Sequence, residues 1–346
     1  MQLDTAGMRK RFEYVRGVSI FAVAVGHFSS RFLEQPLPLY SGYLIAFFFI
    51  VSGYGIHHSL TTRIGKLGTA KGLASFFVRR AVRLYPVYWL WLALDLVFDP
   101  ASSVAGLRLA EVLLFQFHDP PQKWFLHAIV LCYLFAPLFF FAMRRTGKWF
   151  LPLLVAGVLV SNVGLRLLGA PPMRCGMYLF VYLGNVFLFG FGMYYAAMVP
   201  ALRLRKSNWG LIAAGAVMSG LFVATRSMQL VATTVPKMQV LPQGWSQTLP
   251  VLLYASLLLV AVLFFSHERW LVGGPVFRFL GRVSLSIYVF EGMYSTSLER
   301  MGFIGGVSDW NIVAYLALFP FFAGGCWLLE RALSVGRLPS WGRSGV

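Results

Sequence analysis

The sequence predicts an all-α polytopic membrane bundle of about ten transmembrane helices. Of its 346 residues, 58% are hydrophobic and 12% are charged, whereas a soluble domain carries about 25% charged residues. Apolar runs of spanning length recur along the whole chain, and basic residues gather in alternate connections. No hydrophilic run is long enough for a separate soluble domain, so we predict one membrane-embedded domain over residues 1–346.

The individual helices are predicted from apolar runs of about 17–25 residues. We place them at 17–33, 40–60, 82–98, 124–143, 149–168, 177–199, 209–226, 249–266, 283–298 and 311–333. The run 104–117 is apolar but too short to span, so we expect a re-entrant or interfacial segment there. The ninth span, 283–298, is only weakly hydrophobic and contains Glu291.

The distribution of basic residues predicts the orientation of the helices. With the N-terminus in the cytoplasm, 22 of the 30 Lys and Arg side chains fall on the inner side and 8 on the outer side. This asymmetry follows the positive-inside rule, and an even number of helices returns the C-terminus to the cytoplasm as well.

Two classes of partner are not expected. A formal net charge of +18 would suggest nucleic acid in a soluble protein, but here the positive-inside rule accounts for it and no nucleic-acid-binding motif accompanies it. The three cysteines, Cys132, Cys175 and Cys326, have no metal-ligand spacing, so we predict no metal cofactor.

The first predicted helix carries three ionisable residues near one face. Eleven residues at about 100° each bring His27 within roughly 20° of Arg16, about 16 Å deeper in the membrane. Glu13 lies one turn before Arg16. Ionisable groups in membrane helices are costly and usually functional, so these three residues are our candidate catalytic set, with His27 as a general base. The alternative is a histidine that only packs against a neighbouring helix.

Basic residues also cluster at the cytoplasmic start of the third predicted helix. Arg79, Arg80 and Arg83 are followed by Tyr85, and Lys71 precedes them. Guanidinium groups suit phosphates, so we take these five residues as candidates for binding a nucleotide-like donor. The alternative is a topology signal or anionic-lipid contact, which explains basic residues at any cytoplasmic helix end.

Four further residues are candidates for binding substrate. Trp124 and His127 begin the fourth predicted helix, where they could form a sugar-stacking platform, although interfacial Trp anchors are common. Glu291 is a carboxylate inside a predicted span and could pair with the arginine of the first helix or with a histidine. Ser52 adjoins Gly53, and because small residues let helices approach closely, packing is the simpler role for both.

These motifs together resemble the acyltransferase-3 family of integral-membrane acyltransferases. Five stretches correspond in order along about residues 10–295, namely Phe12–Gly17 with His27, Phe48–Tyr54, Arg79–Trp89, Trp124–Leu126 and Gly281–Tyr288. Each stretch is weakly specific alone, and their order makes the resemblance specific.

The resemblance implies transfer of an acyl group, commonly acetyl from acetyl-CoA on the cytoplasmic side. The implied acceptor is a carbohydrate hydroxyl, as in an exopolysaccharide, an O-antigen-like glycan or its lipid-linked precursor, and the implied location is a bacterial inner membrane. On this reading His27 is the catalytic base, Arg16 supports the donor, Trp124 lies near the acceptor, and the arginines from Arg79 to Arg83 hold CoA phosphates.

Three features of the sequence depart from the family pattern. Many relatives continue Trp-Phe-Leu with Ser-Val-Glu, where this chain has His127–Ile129. Many relatives have a histidine where this chain has Glu291, and Glu13 replaces an aspartate. The first two departures concern secondary polar contacts and leave the pairing of Arg16 with His27 intact.

We therefore predict a membrane O-acetyltransferase, by direct attack of the acceptor or through an acyl-histidine. The alternative from another class is a carrier or flippase for acyl donors or lipid-linked sugars, in which Arg16, His27 and Glu291 form a gating or proton-coupling network. An acyltransferase releases free CoA only when acceptor is present, whereas a carrier binds or moves its substrate without releasing CoA. Apolar helix faces can contact either membrane lipid or a second protomer, so the sequence does not decide between a monomer and a homo-oligomer.

Overall fold

The computed structural model describes residues 5–34, 37, 41–62, 69–98, 109–114, 124–154, 156–157, 160, 175–198 and 274–334. Every regular element within these ranges is helical, as the sequence predicted. The α-helices are α1 (Thr5–Phe32), α2 (Ser41–Thr61), α3 (Ala70–Phe98), α4 (Leu109–Val112), α5 (Trp124–Thr146), α6 (Cys175–Met198), α7 (Gly274–Arg282), α8 (Ser284–Arg300) and α9 (Asn311–Ser334). A 3₁₀ turn follows α5 at Gly147–Trp149.

Seven of the ten predicted spans coincide with helices of the described ranges, namely α1, α2, α3, α5, α6, α8 and α9. The prediction at 149–168 is described only in part, and the predictions at 209–226 and 249–266 lie outside the described residues, as do both chain ends. The total of ten helices and the cytoplasmic termini therefore stay predictions.

Three of the described helical spans are long and apolar enough to cross a membrane: Ala70–Phe98, Trp124–Leu154 and Asn311–Leu333. Large apolar side chains are exposed along these spans, as at Val97 and Phe321. Exposed apolar faces of this extent would be unfavourable in water and suit contact with lipid. The protein is therefore membrane-embedded.

The chain divides into two compact units. One contains Phe49–Ser59 and Phe135–Val272 with Met1–Gln2, and the other contains Leu3–Phe48, Leu60–Leu134 and Gly273–Val346. All of α1, α3, α7, α8 and α9 belong to the second unit, and with them the residues of the first predicted motif.

Helix α1 crosses α7 with the two backbones in direct contact. A Cβ atom at Gly17 would lie 1.7 Å from the carbonyl oxygen of Phe277, and one at Gly281 would lie 1.7 Å from that of Glu13. Only glycine permits this approach from both sides. The two glycines belong to the first and last predicted motifs, so the crossing explains why both motifs contain glycine.

The rest of α1 is packed as an interior helix. Ile20, Val23, Ala24 and Phe28 are fully buried, and the ring of Phe28 stacks on Tyr315 of α9 with centroids 4.0 Å apart. Glu13 of α1 is buried, and Arg16 and His27 are half-buried, which is the kind of environment in which ionisable groups are tolerated in membrane helices.

The loop from α8 to α9 fastens the C-terminal end of α1. The carbonyl oxygen of Phe32 accepts hydrogen bonds from the Ser308 backbone N–H and from Nδ2 of Asn311, each at 3.0 Å. Asn311 Nδ2 also donates to the Gly306 carbonyl at 3.0 Å. Carbonyls at a helix end lack partners within the helix, so these bonds fix α1 relative to α8 and α9.

A glycine pair also joins α2 to α6 in the other unit. A Cβ atom at Gly53 would lie 2.0 Å from the Phe189 carbonyl oxygen, and one at Gly192 would lie 2.1 Å from that of Ile50. The role predicted for Gly53 in close helix packing is confirmed by this contact.

Candidate active site

His27 of α1 and Glu291 of α8 form a hydrogen-bonded pair across 264 positions of sequence. His27 Nδ1 lies 2.8 Å from Glu291 Oε1. The Glu291 side chain is 10% exposed and that of His27 is 38% exposed. Of the two partners considered for Glu291, an arginine or a histidine, the structure selects a histidine.

The pair determines which imidazole nitrogen can accept a proton. A carboxylate can only accept a hydrogen bond, so Nδ1 carries the hydrogen and donates it to Oε1. A neutral imidazole has one such hydrogen, which leaves Nε2 as the basic nitrogen. The exposed part of His27 makes that nitrogen available for proton transfer.

Glu13 is paired in a different place. Arg282 Nε donates to Glu13 Oε2 at 3.0 Å, and the Glu13 side chain is buried while that of Arg282 is largely exposed. Arg16 lies one turn along α1 and is half-buried, with its Nε atom enclosed. The α1–α7 crossing therefore gathers a carboxylate and two guanidinium groups, with Glu13 about 21 Å and Arg16 about 16 Å along α1 from His27 by helical rise.

The arginines of α3 have three different environments. Arg80 is buried, with its guanidinium 5.5 Å from the ring centre of Phe76 and 5.9 Å from that of Tyr133. Arg79 donates through Nη1 to the hydroxyl of Ser75 one turn earlier on the same helix. Arg83 is exposed and is the arginine of this group that reaches a cavity.

That cavity has a volume of about 30 Å³ and lies where α3, α7, α8 and α9 meet. It is lined by Arg83, Val87, Arg282, Ser284, Leu285 and Glu330. Two guanidinium groups therefore flank the N-terminus of α8, whose first N–H groups have no partner within the helix. Glu330 places one carboxylate in the same lining and accepts a hydrogen bond from the Ser286 hydroxyl at 2.8 Å.

The helical rise locates the pair of His27 and Glu291 between this cavity and the far end of α8. Glu291 follows Ser284 by seven residues, or about 10 Å, and precedes Arg300 by nine, or about 14 Å. At that far end Arg300 Nη1 donates to the Phe98 carbonyl of α3 at 2.9 Å.

The short helix α4 is bonded to the middle of α3. Tyr85 donates its hydroxyl to the Leu113 carbonyl at 2.6 Å, and Trp89 Nε1 donates to the Val112 carbonyl at 3.2 Å. Trp89 precedes Phe98 by nine residues, so this contact lies about 14 Å below the Phe98 end of α3. Two side chains of the Arg79–Trp89 stretch thus hold this segment against α3, and its re-entrant or interfacial character stays a prediction.

Aromatic rings bring three of the predicted motifs together one turn below Glu291. The ring of Phe125 lies 5.6 Å from that of Phe48 and 5.1 Å from that of Tyr288, both in edge-on geometry. Trp124 is half-buried beside Phe125, and His127 is half-buried one turn further along α5. Trp124 and Glu291 thus lie in neighbouring helices of one unit.

Lys71 and Ser52 lie apart from the contacts described above. Lys71 is exposed near the start of α3, and Ser52 is half-buried in the other unit, beside Gly53. Their predicted roles in donor and substrate binding stay predictions.

Arg282 and Glu330 are functional candidates that sequence reasoning did not select. Arg282 was counted only among the basic residues of the inner side, and Glu330 was given no role. Arg282 directly follows Gly281 of the last motif, and that adjacency was the available signal. Glu330 is a carboxylate inside an otherwise apolar helix, which is the same kind of signal that singled out Glu291.

Comparison with known proteins identifies the family. A family model described as an acyltransferase domain, that of the acyltransferase-3 family, matches residues 9–331. No curated protein and no solved structure matches the chain. The family match runs from within α1 to within α9 and includes the pair of His27 and Glu291 and the cavity beside Arg83. The chain belongs to the acyltransferase-3 family and is a membrane acyltransferase.

Proposed function

We propose that this protein is a bacterial inner-membrane O-acyltransferase that moves acetyl from cytoplasmic acetyl-CoA to a carbohydrate hydroxyl. The acceptor is an exopolysaccharide, an O-antigen-like glycan or its lipid-linked precursor. The observation that carries the proposal is the state of His27, a partly exposed imidazole whose Nδ1 is engaged by Glu291, so that Nε2 is available as a base.

In the proposed reaction His27 Nε2 takes the proton of the acceptor hydroxyl as its oxygen attacks the thioester carbonyl carbon. The C–S bond then breaks, and the proton passes from Nε2 to the thiolate of CoA. The products are an ester and free CoA. General-base catalysis of this kind contributes typically 10²–10⁴-fold in rate, and positioning of the two substrates supplies much of the rest.

Donor binding is assigned to the protein surface around Arg83, beside a cavity that has room for about one water molecule, and Arg83 is the proposed phosphate ligand. Its guanidinium is exposed beside the cavity, and Arg282 contributes a second guanidinium to the same lining. Arg80 is enclosed by aromatic rings, so we assign it a structural role in joining α3 to α5. Arg16 is proposed to support the donor from α1.

The cavity lies about 10 Å along α8 from Glu291, on the side that the charge distribution predicts to be cytoplasmic. A donor whose phosphates lie there can extend its thioester toward His27. Trp124, in the layer of aromatic rings next to Tyr288, is the proposed acceptor contact.

The test is release of free CoA from acetyl-CoA by detergent-purified protein, with and without a glycan acceptor. We expect thiol release only with acceptor, its abolition in His27→Ala, and weaker donor binding in Arg83→Gln. Arg278→Gln is the matched control because Arg278 Nε donates to the Gly274 carbonyl of its own helix, outside the cavity lining.

Three results would overturn parts of this proposal. Transport of substrate with no thiol formed would favour the carrier. Full activity in His27→Ala would show that His27 is not the catalytic base. Equal donor affinity in the variants at Arg83 and Arg278 would show that Arg83 does not bind the donor and acts only as a topology signal.

A further inference from the structure

The carboxylate of Glu291 is buried and hydrogen-bonded to the imidazole of His27. Glu291 as a whole residue is 7% exposed. Within the part of the chain that the structure describes, His27 Nδ1 is the hydrogen-bond partner of its Oε1. A carboxylate enclosed in this way has little surface with which to contact a glycan.

We infer that Glu291 is a positioning residue that acts on the acyl acceptor only through His27, holding its imidazole in the Nδ1–H form with Nε2 directed to the reacting hydroxyl. This inference rests on the proposed function, since it describes how the base works. It replaces the sequence-based expectation that Glu291 contacts substrate.

Geometry supports the choice of tautomer. The 2.8 Å separation is a hydrogen-bond distance, and because an ionised carboxylate can only accept, Nδ1 must be the donor. With Nδ1 donating, the ring cannot rotate to exchange its nitrogens without breaking the bond. The base is therefore oriented before the substrates bind.

Position in the fold supports the rigidity of this arrangement. His27 lies five residues before Phe32, whose carbonyl is fastened by the loop that follows α8. Glu291 lies one turn after Tyr288, which packs against Phe125. Ser295 donates its hydroxyl to the Glu291 carbonyl at 3.0 Å. Both members of the pair are thus held by contacts of their own helices.

The charge of Glu291 has a second effect during the reaction. When a buried carboxylate has only a neutral partner, the free-energy cost of burying its charge is only partly offset. When His27 Nε2 takes the hydroxyl proton, the pair becomes an imidazolium–carboxylate ion pair in a low-dielectric site, where the attraction is stronger than in water. The protonated state formed during attack is stabilised, and Glu291 itself gains and loses no proton. The same proton then leaves to the CoA thiolate.

The first test examines the wild-type protein alone. Histidines labelled with ¹⁵N report by NMR which ring nitrogen carries hydrogen, and the spectrum of His27→Ala assigns the His27 signals. We expect His27 to be in the Nδ1–H form. The Nε2–H form, with Nδ1 bare, would overturn the inference without any variant at Glu291.

The second test replaces the carboxylate with its closest neutral analogue. A carboxamide can accept or donate, so Glu291→Gln no longer dictates the tautomer and removes the charge. We expect kcat for CoA release to fall by about 10²–10⁴-fold, with KM for donor and acceptor changed by less than about threefold. Glu291→Asp keeps the charge and is expected to recover part of kcat. Glu299→Gln, the same change at an exposed site on the same helix, is the control.

The outcomes separate this inference from the proposed function. Wild-type kcat in Glu291→Gln together with an inactive His27→Ala would overturn the positioning role and leave His27 as the base. If Glu291→Gln changed only the KM for the acceptor, Glu291 would be a substrate-binding residue, as expected from the sequence. An active His27→Ala would overturn the proposed function itself. If Glu291→Gln does not fold, Glu291→Asp and the wild-type NMR result still decide the question.

Discussion

Replacing Gly281 with alanine should separate α1 from α7, because no side chain at the contact can move aside. The alanine Cβ would lie 1.7 Å from the Glu13 carbonyl oxygen and 2.7 Å from its carbonyl carbon, both backbone atoms. Ordinary contact begins at about 3.4 Å, so the helices must move apart by about 1.7 Å.

The size of the effect follows from this displacement. Overpacking a well-packed contact costs typically 1–3 kcal/mol, and more where backbone must move. Arg282 Nε and Glu13 Oε2 are 3.0 Å apart in the native contact, and the same displacement would carry them beyond hydrogen-bond distance. We therefore expect a loss of at least about 2 kcal/mol in stability. We also expect a loss of activity, because displacements near 1 Å can cost about 10²-fold in rate.

The assay uses the buried thiols of Cys132 and Cys326, which react with a maleimide dye when the protein unfolds. Thermal midpoints are compared for wild type, Gly281→Ala and Gly292→Ala, together with CoA release. Gly292 is the matched control because nothing lies within 4 Å of a Cβ placed there. Alanine at a helix interior is favoured over glycine by up to about 1 kcal/mol, so Gly292→Ala should be neutral or stabilising.

A second variant tests whether backbone contact between the two helices is the cause of the destabilisation. Gly17→Ala separates the same two helices from the opposite side, at the Phe277 carbonyl. Once the helices are apart, the second alanine adds little, so the double variant should cost much less than the sum of the two singles. Equal midpoints for Gly281→Ala and Gly292→Ala, or full additivity with Gly17→Ala, would refute the backbone-contact argument.

Two further predictions concern other contacts. Gly53→Ala should lower the thermal midpoint, since its Cβ would meet the Phe189 carbonyl at 2.0 Å, whereas Gly55→Ala has nothing within 4 Å; equal midpoints would contradict this. Tyr85→Phe should raise hydrogen exchange at 109–114 severalfold by removing a bond worth about 1 kcal/mol to the Leu113 carbonyl. Tyr294→Phe, whose hydroxyl bonds elsewhere, should leave exchange at 109–114 unchanged.

Much of the fold was predictable because membrane insertion is a local property. A run of apolar residues of spanning length must be helical in lipid, since every backbone group needs a partner within the segment. This reasoning found α3, α5 and α9, and it found α8 despite the carboxylate of Glu291. Helix ends were less predictable, since α1 begins twelve residues before its predicted span and α3 likewise.

The candidate site was predictable in its members but not in its pairings. The first helix indicated Glu13, Arg16 and His27 as one face, yet Glu13 pairs with Arg282 and His27 with Glu291, partners from the last third of the chain. Spacing along one helix gives angles and depths. It contains no information on which neighbouring helix covers that face.

The sequence by itself determined the class of protein, the helical runs, and the types of side chain that can do acyl transfer. It also determined family membership through five motifs in order. The tertiary structure decided which of these side chains meet. Helix register is set by backbone approach at glycines such as Gly17 and Gly281, whose effect depends on the helix opposite. Apolar faces alone are alike toward lipid and toward protein, so only the packed bundle places Glu291 behind His27.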